Sequence, residues 1–214
     1  MKAYRALLTT AMLATFAAPS FAATVAKPGP GKAAEQTIVF AGGCFWGIQS
    51  VFEHTKGVTS AVSGYAGGFT DKPSYAQVSS GRTGHAESVK VTFDPAQISL
   101  DQLMQIFFTV AHDPTQMNRQ GPDVGTQYRS MVVYMNDVQK TDVNAFITKL
   151  GTDRAYGGKR IVTEVKPYKV FFPAEAYHQH YAELHPNDPY IAYNDRPKVA
   201  ALKKQFPQLY RDIK

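Results

Sequence analysis

Only three residues, Gly42, Gly43 and Cys44, separate a short apolar run at 37–41 (TIVFA) from a stretch at 45–54 whose apolar residues Ile48, Val51 and Phe52 recur at helical spacing. The first run is partly β-branched and reads as a buried strand; the second has the period of a helix face. A strand that becomes a helix within two glycines needs a tight turn, and it commits the chain to a fold that interleaves strands and helices. The same turn carries the only cysteine and the only tryptophan, in Gly43-Cys44-Phe45-Trp46-Gly47. Cys44 therefore falls at or near a helix N-terminus, where unpaired amides and the helix dipole favour negative charge and lower a thiol pKa. The flanking glycines let another molecule approach the sulfur. A lone cysteine closes no intrachain disulfide, so Cys44 is either a packed core thiol or a working thiolate. Its setting favours the second.

The rest of the 214 residues alternates in the same way. Strands are expected at 58–65, 89–93, 130–135 and 161–168, the last of them long. Ser99-Leu100-Asp101-Gln102 is a capping box that opens a helix with Leu100, Leu103, Met104, Phe107 and Val110 on one face, ending at Asp113-Pro114. Further helices are expected at 137–150, stopped by Gly151, and at 173–184, with Pro173 near the first turn. The segment from His185 onward, rich in Pro, Asn, Asp and Tyr, is expected to wrap the surface. The fold class that follows is α/β (α+β), a two-layer sandwich.

The first 22 residues read differently. Lys2 and Arg5 precede an apolar stretch at 6–18, and Ser20-Phe21-Ala22 is a small-x-small cleavage signal. This is the pattern of a secretory signal peptide, too short for a spanning helix, and it implies export to a bacterial periplasm. Residues 23–36, with Lys27-Pro28-Gly29-Pro30-Gly31, read as a flexible leader, and 37–214 as one domain. The formal charge of +6 includes Lys2 and Arg5; the remainder is scattered, with no basic run of the nucleic-acid-binding kind.

Glu87 is the second candidate of interest. In Glu87-Ser88-Val89-Lys90-Val91-Thr92-Phe93, alternation puts residue 87 on the face of Val89, Val91 and Phe93. A carboxyl on that face is desolvated and stays protonated to higher pH, as a general acid requires; the alternative is a frayed strand start with Glu87 turned to water. Tyr75 and Tyr128 sit in polar, glycine-containing loops where a phenol can hold a substrate oxygen or simply stay wet, and Asp123 binds or forms a turn. His178, His180 and His185 lack metal-ligand spacing, so no metal or other cofactor is implied; Tyr177, Tyr181 and Leu184 read as core. Two readings compete with a reductive thiol: another one-cysteine enzyme, peroxidase-like, and a non-catalytic aromatic binding module.

Gly43-Cys44-Phe45-Trp46-Gly47 resembles the signature of the A-type peptide methionine sulfoxide reductases, which act on the S epimer. The similarity continues through Ser63-Gly64-Tyr65-Ala66-Gly67-Gly68, Pro73-Ser74-Tyr75, Thr83-Gly84-His85-Ala86-Glu87, His112-Asp113-Pro114-Thr115-Gln116, Asp123-Val124-Gly125-Thr126-Gln127-Tyr128-Arg129-Ser130 and Ala176-Tyr177-His178-Gln179. The resemblance implies a ferredoxin-like mixed sheet at the core. It also implies Cys44 as nucleophile on the sulfoxide sulfur, Glu87 as acid, and Tyr75 and Tyr128 on the sulfoxide oxygen. Phe45 and Trp46 form the methyl pocket, and Asp123 orients the rest of the substrate. Partners follow: peptides or proteins carrying methionine-S-sulfoxide and an external thiol reductant, with the enzyme itself a monomer. Many members of the family carry further cysteines near the C-terminus; this chain has none after Cys44, so a sulfenic acid there has to be resolved by an outside thiol.

Overall fold

Gly43 adopts φ +100°, a left-handed backbone open to glycine, and the chain turns from β1 (Gln36–Ala41) straight into α1 (Phe45–Glu53). The computed structural model describes residues 34–213. After α1 come β2 (Val58–Ala66), the short α2 (Tyr75–Ser79), β3 (Ala86–Phe93) and α3 (Leu100–Ile106). The chain continues through β4 (Arg119–Gln120), β5 (Asp123–Val124), β6 (Met131–Tyr134), α4 (Asp137–Thr152), β7 (Glu164–Pro167) and β8 (Phe171–Pro173), and closes with α5 (Tyr181–Leu184) and α6 (Arg196–Gln205).

Six strands form one mixed sheet in the order β7-β6-β1-β3-β2-β8, with β6 and β7 parallel and every other pair antiparallel; β4 and β5 make a separate hairpin. Alternation sorts the strand residues between two faces. Ile38, Phe40, Tyr65, Val89, Val91 and Phe93 join the main core with residues of α1, α3, α4 and α6, while Val39, Ala41, Ala66, Met131, Val133 and Phe171 form a thinner cluster. The two-layer mixed α/β architecture expected from the sequence is the one observed.

The capping box at Ser99 forms, with Gln102 reaching back to the Ser99 amide. Its helix loosens to a π-turn at Phe107–Ala111 before His112. Three expectations fail. Gly151 does not stop α4, which runs through it to Thr152. The long strand at 161–168 shrinks to β7, at one edge of the sheet, and β8 follows it at the opposite edge.

The helix expected at 173–184 is not continuous. Pro173 pairs with Gly64 at the end of β8, the Gln179 side chain bonds the backbone of Ser63 and Ala174, and His180 turns left-handed at φ 57°. Only a 3-10 turn at Ala176–His178 and the one-turn α5 remain, leaving Tyr177 and Leu184 exposed rather than in the core. The C-terminal segment does more than wrap: Ile191, Asp195 and Leu202 are buried, and α6 packs on α1. The signal peptide expected over 1–22 and most of the leader at 23–36 lie outside the described residues. Among the described residues no helix is long and apolar enough to cross a membrane.

Candidate active site

Cys44 is the N-cap of α1 and only 7% exposed. Its turn is clamped from two sides. A Cβ on Gly42 would lie 2.7 Å from His112 Cγ, and one on Gly43 would lie 2.6 Å from Gln120 Cγ. His112 in turn is held by the Phe107 carbonyl at 2.9 Å and Ser130 Oγ at 2.8 Å, and Gln120 by the Asp113 backbone. The β1–β6 pairing of Ala41 with Met131 is what brings Ser130 beside this turn.

Glu87 lies one residue inside β3, opposite Tyr65 on β2, and is 1% exposed. Its Oε2 accepts the Phe45 amide at 3.1 Å, so the carboxyl sits under the first turn of α1. Burial raises its pKa to about 8, outweighing that amide, with the charges of Asp123 and Asp195 adding to the rise. Near neutral pH the carboxyl is mostly protonated.

The thiol behaves differently from the sequence expectation. Burial pushes the Cys44 pKa well above the ordinary thiol value, and the charges of Glu87 and Asp195 push the same way. The Trp46 amide and Lys198 oppose that rise and lose. The helix N-terminus acts in the expected direction, but desolvation is the larger effect, so Cys44 rests as a thiol.

Around this pair stand the other candidates. Phe45 is fully buried, and its ring lies 5.1 Å from that of His178 and 6.5 Å from those of Trp46 and Tyr75. Trp46 stacks on Tyr181 at 3.8 Å, and its indole N–H donates to His178 Nδ1 at 3.2 Å. Tyr75 opens α2, capped by Ser74, and its amide donates to Glu175 Oε1 at 2.8 Å. Tyr128 closes a 3-10 turn at Thr126–Tyr128. Burial raises both phenols, and the charges of Glu87 and Cys44 contribute to each, so both stay protonated within reach of that pair. Asp123, on β5, accepts the Tyr190 hydroxyl, and Tyr190 is itself raised by burial and by Cys44. The seven residues singled out from sequence thus come from α1, α2, β3, β5 and the 3-10 turn to one place.

Sequence reasoning missed four contributors: Glu175, which also accepts the Tyr65 hydroxyl at 2.7 Å; the buried His178; and Tyr190 and Asp195 from the C-terminal segment. Asp195-Arg196-Pro197 carried a readable helix-start signal, since proline in a first turn marks one. The remaining two histidines of the discarded metal reading are placed elsewhere, His180 paired with Glu53 at 2.6 Å and His185 against the Tyr181 ring. Among the described residues no group of three or more potential ligands converges.

The arrangement gathers a thiol at a helix N-terminus, a buried neutral carboxyl, two phenols and an aromatic wall. Comparison with known proteins agrees. The family model described as peptide methionine sulfoxide reductase matches residues 36–210. The Mesorhizobium japonicum peptide methionine sulfoxide reductase MsrA 2 is 53% identical over 186 residues, covering 87% of this chain and 93% of its own. The Pasteurella multocida MsrA is 46% identical over 176 residues, covering 82% and 99%. Among solved structures, reduced Mxr1 from Saccharomyces cerevisiae superposes with a TM-score of 0.68 at 35% identity, over 76% of this chain and 91% of that one. Methionine sulfoxide reductase A of Corynebacterium diphtheriae superposes at 0.67 and 36% identity, over 74% and 78%. The chain belongs to the A-type peptide methionine sulfoxide reductases, enzymes that use thiols to return methionine-S-sulfoxide to methionine.

Proposed function

We propose that Cys44 attacks the sulfoxide sulfur while Glu87 protonates the sulfoxide oxygen. The observation that carries this division of labour is the buried carboxyl of Glu87, protonated near neutral pH, beneath the turn that presents Cys44. Oxygen then passes to Cys44: the substrate sulfur is reduced by two electrons to the thioether, and the Cys44 sulfur is oxidised to a sulfenic acid. The oxygen lies against Glu87, Tyr75 and Tyr128, and the methyl group against Phe45 and Trp46. Two unlike walls around one sulfur hold a single handedness, which is the physical basis for selecting the S epimer. Asp123 holds the flanking substrate, with Tyr190 fixing its carboxylate.

Proton state decides the rate. Cys44 reacts as thiolate and Glu87 as acid, although burial raises both groups and leaves the thiol's pKa above the carboxyl's. The Glu87 charge is one cause of the thiol's high pKa, so protonating Glu87 eases ionisation of Cys44. The working state is the one with the proton on Glu87 and the charge on sulfur.

With no second cysteine in the sequence, an external thiol condenses with the sulfenic acid and releases water. A second thiol then frees Cys44 from the mixed disulfide. The basic, apolar, small-residue pattern of 1–22 supports export, so the reductant is a periplasmic small thiol or a thioredoxin-like or glutaredoxin-like protein.

The test supplies each epimer of a methionine sulfoxide peptide separately to the purified protein without reductant. One S-sulfoxide reduced per enzyme, with a dimedone adduct on Cys44 and no reduction by Cys44→Ser, is expected. Turnover by Cys44→Ser, or absence of the adduct after a full single turnover, defeats the assignment.

A further inference from the structure

The C-terminal segment lays an ion pair, a buried Asp195 with a partly buried Lys198, on the helix that presents Cys44. Asp195 precedes α6 at its N-cap and belongs to a residue type that ordinarily caps its own helix. It makes no such bond. It is 1% exposed, its Oδ1 accepts Lys198 Nζ at 3.1 Å, and its Oδ2 has no partner. The pair packs on Gly47 in the first turn of α1: a Cβ there would lie 2.1 Å from Asp195 Oδ1 and 2.9 Å from Lys198 Nζ. Gly47 is the third residue after Cys44, and an N-cap side chain lies over the amides of that same turn. The glycine is therefore what lets a carboxylate and an ammonium reach the turn that bears the thiol.

We propose that Lys198, held against the first turn of α1 by Asp195, is the countercharge of the Cys44 thiolate, a positioning residue supplied by the C-terminal helix. The inference rests on Cys44 being the nucleophile. Lys198 is the cation among the charges that act most strongly on Cys44; the anions Glu87 and Asp195 act against it. The phenols that feel Cys44, Tyr75, Tyr128, Tyr181 and Tyr190, are all raised and stay neutral. Asp195 itself faces Lys198, Asp123 and Asp188 and is raised chiefly by burial. His112, the other group that feels Lys198, is uncharged at neutral pH. A partly buried ammonium with a single carboxylate partner keeps donor capacity for a second anion. The reaction creates that anion on sulfur.

The experiment reads Cys44 directly. Because the chain has one cysteine, the rate of iodoacetamide alkylation against pH, followed by intact mass, reports its thiolate alone. Lys198→Met is expected to move the midpoint up by about one pH unit, Lys198→Arg to keep it near wild type, and Asp195→Asn to move it down. A purely structural role disturbs packing without giving the two charges opposite signs. An unmoved midpoint in a Lys198→Met protein that still melts cooperatively overturns the proposal. So does a shift in the same direction for Lys198→Met and Asp195→Asn. Lys198→Gln replaces Lys198→Met if the latter does not fold, and is judged in the same way. Alkylation needs no sulfoxide, so these outcomes stand apart from the Cys44→Ser turnover test: reduction by Cys44→Ser removes the nucleophile reading whatever the alkylation midpoints do.

Discussion

Glu87 and His112 flank the same turn, and both are neutral near pH 7 for the same reason. Burial raises the carboxyl of Glu87 to about 8 and lowers the imidazole of His112 to about 4. Their hydrogen bonding differs. Nδ1 of His112 meets the Phe107 carbonyl and so carries the proton, and Nε2 accepts from Ser130, whose oxygen meets Thr163 at 2.7 Å. Every polar atom of that ring is satisfied. Glu87 has one hydrogen bond, the Phe45 amide, and its charge acts on Cys44. A buried ionisable group with all partners present holds the fold. One with a partner missing on the site side is poised for chemistry, and it weakens the fold to remain so.

The largest effect expected from this contrast belongs to Glu87→Gln. The amide keeps the Phe45 contact but cannot give up a proton, so the single-turnover rate of sulfoxide reduction should fall roughly a hundredfold or more at pH 7. Wild type should lose the same step as pH rises through about 8, where Glu87 ionises, and that limb should vanish in Glu87→Gln. Stability also falls with rising pH, but the substitution acts on it in the opposite sense. Glu87 binds its proton more tightly folded than unfolded, so between about 4.5 and about 8 the folded state holds more protons and loses stability with rising pH. Glu87→Gln should therefore melt higher than wild type at pH 8, by the equivalent of a few kcal/mol at most. Equal melting at pH 8 would contradict the buried-acid account.

Glu87 was legible in the sequence because strand periodicity is exact: residues 87, 89, 91 and 93 share a face, and three apolar neighbours say which face it is. Gly42-Gly43-Cys44 was legible for a similar local reason, a turn with no spare residues. Tyr190, Asp195 and Lys198 were not. Their part in the site depends on α6 crossing α1, a contact between residues about 150 apart in sequence, which no local period encodes. The pKa of Cys44 was misjudged from the same kind of reading. Proximity to a helix N-terminus shows in the sequence, whereas the desolvation that outweighs it comes from layers assembled across the chain. The failed helix at 173–184 teaches the converse, since its apolar spacing was genuine but the long-range bonds of Gln179 to Ser63 and Ala174 took the backbone instead.

His112→Phe probes the other side of the contrast. The ring stays, but the Phe107 carbonyl and Ser130 hydroxyl lose their partner, at a cost of about 2–4 kcal/mol in urea unfolding. The imidazole's folded pKa is depressed, so wild-type stability from this group is present above about 6.5 and lost as pH falls toward about 4. His112→Phe should lack that acid limb. Where the variant is folded, its single-turnover rate should fall far less than that of Glu87→Gln; an equal fall would make His112 a participant in the chemistry. Gly42→Ala presses a methyl into the same ring, 2.7 Å from Cγ, and should cost about 1–3 kcal/mol.

The smallest expected effect sharpens the contrast because it is remote from the turn. Gly151 lies within α4, has nothing within 4 Å of where a Cβ would stand, and has no positive φ. Alanine there removes a backbone freedom that only the unfolded chain uses, so Gly151→Ala should add about 0.5 kcal/mol, a rise in Tm of about 1–2 °C. It touches neither Glu87 nor His112. Both pH limbs should therefore keep their positions while the whole stability curve rises. If the limbs moved with it, the pH dependence would reflect general loosening of the fold. Fixed limbs on a raised curve tie each to one buried group beside the Cys44 turn.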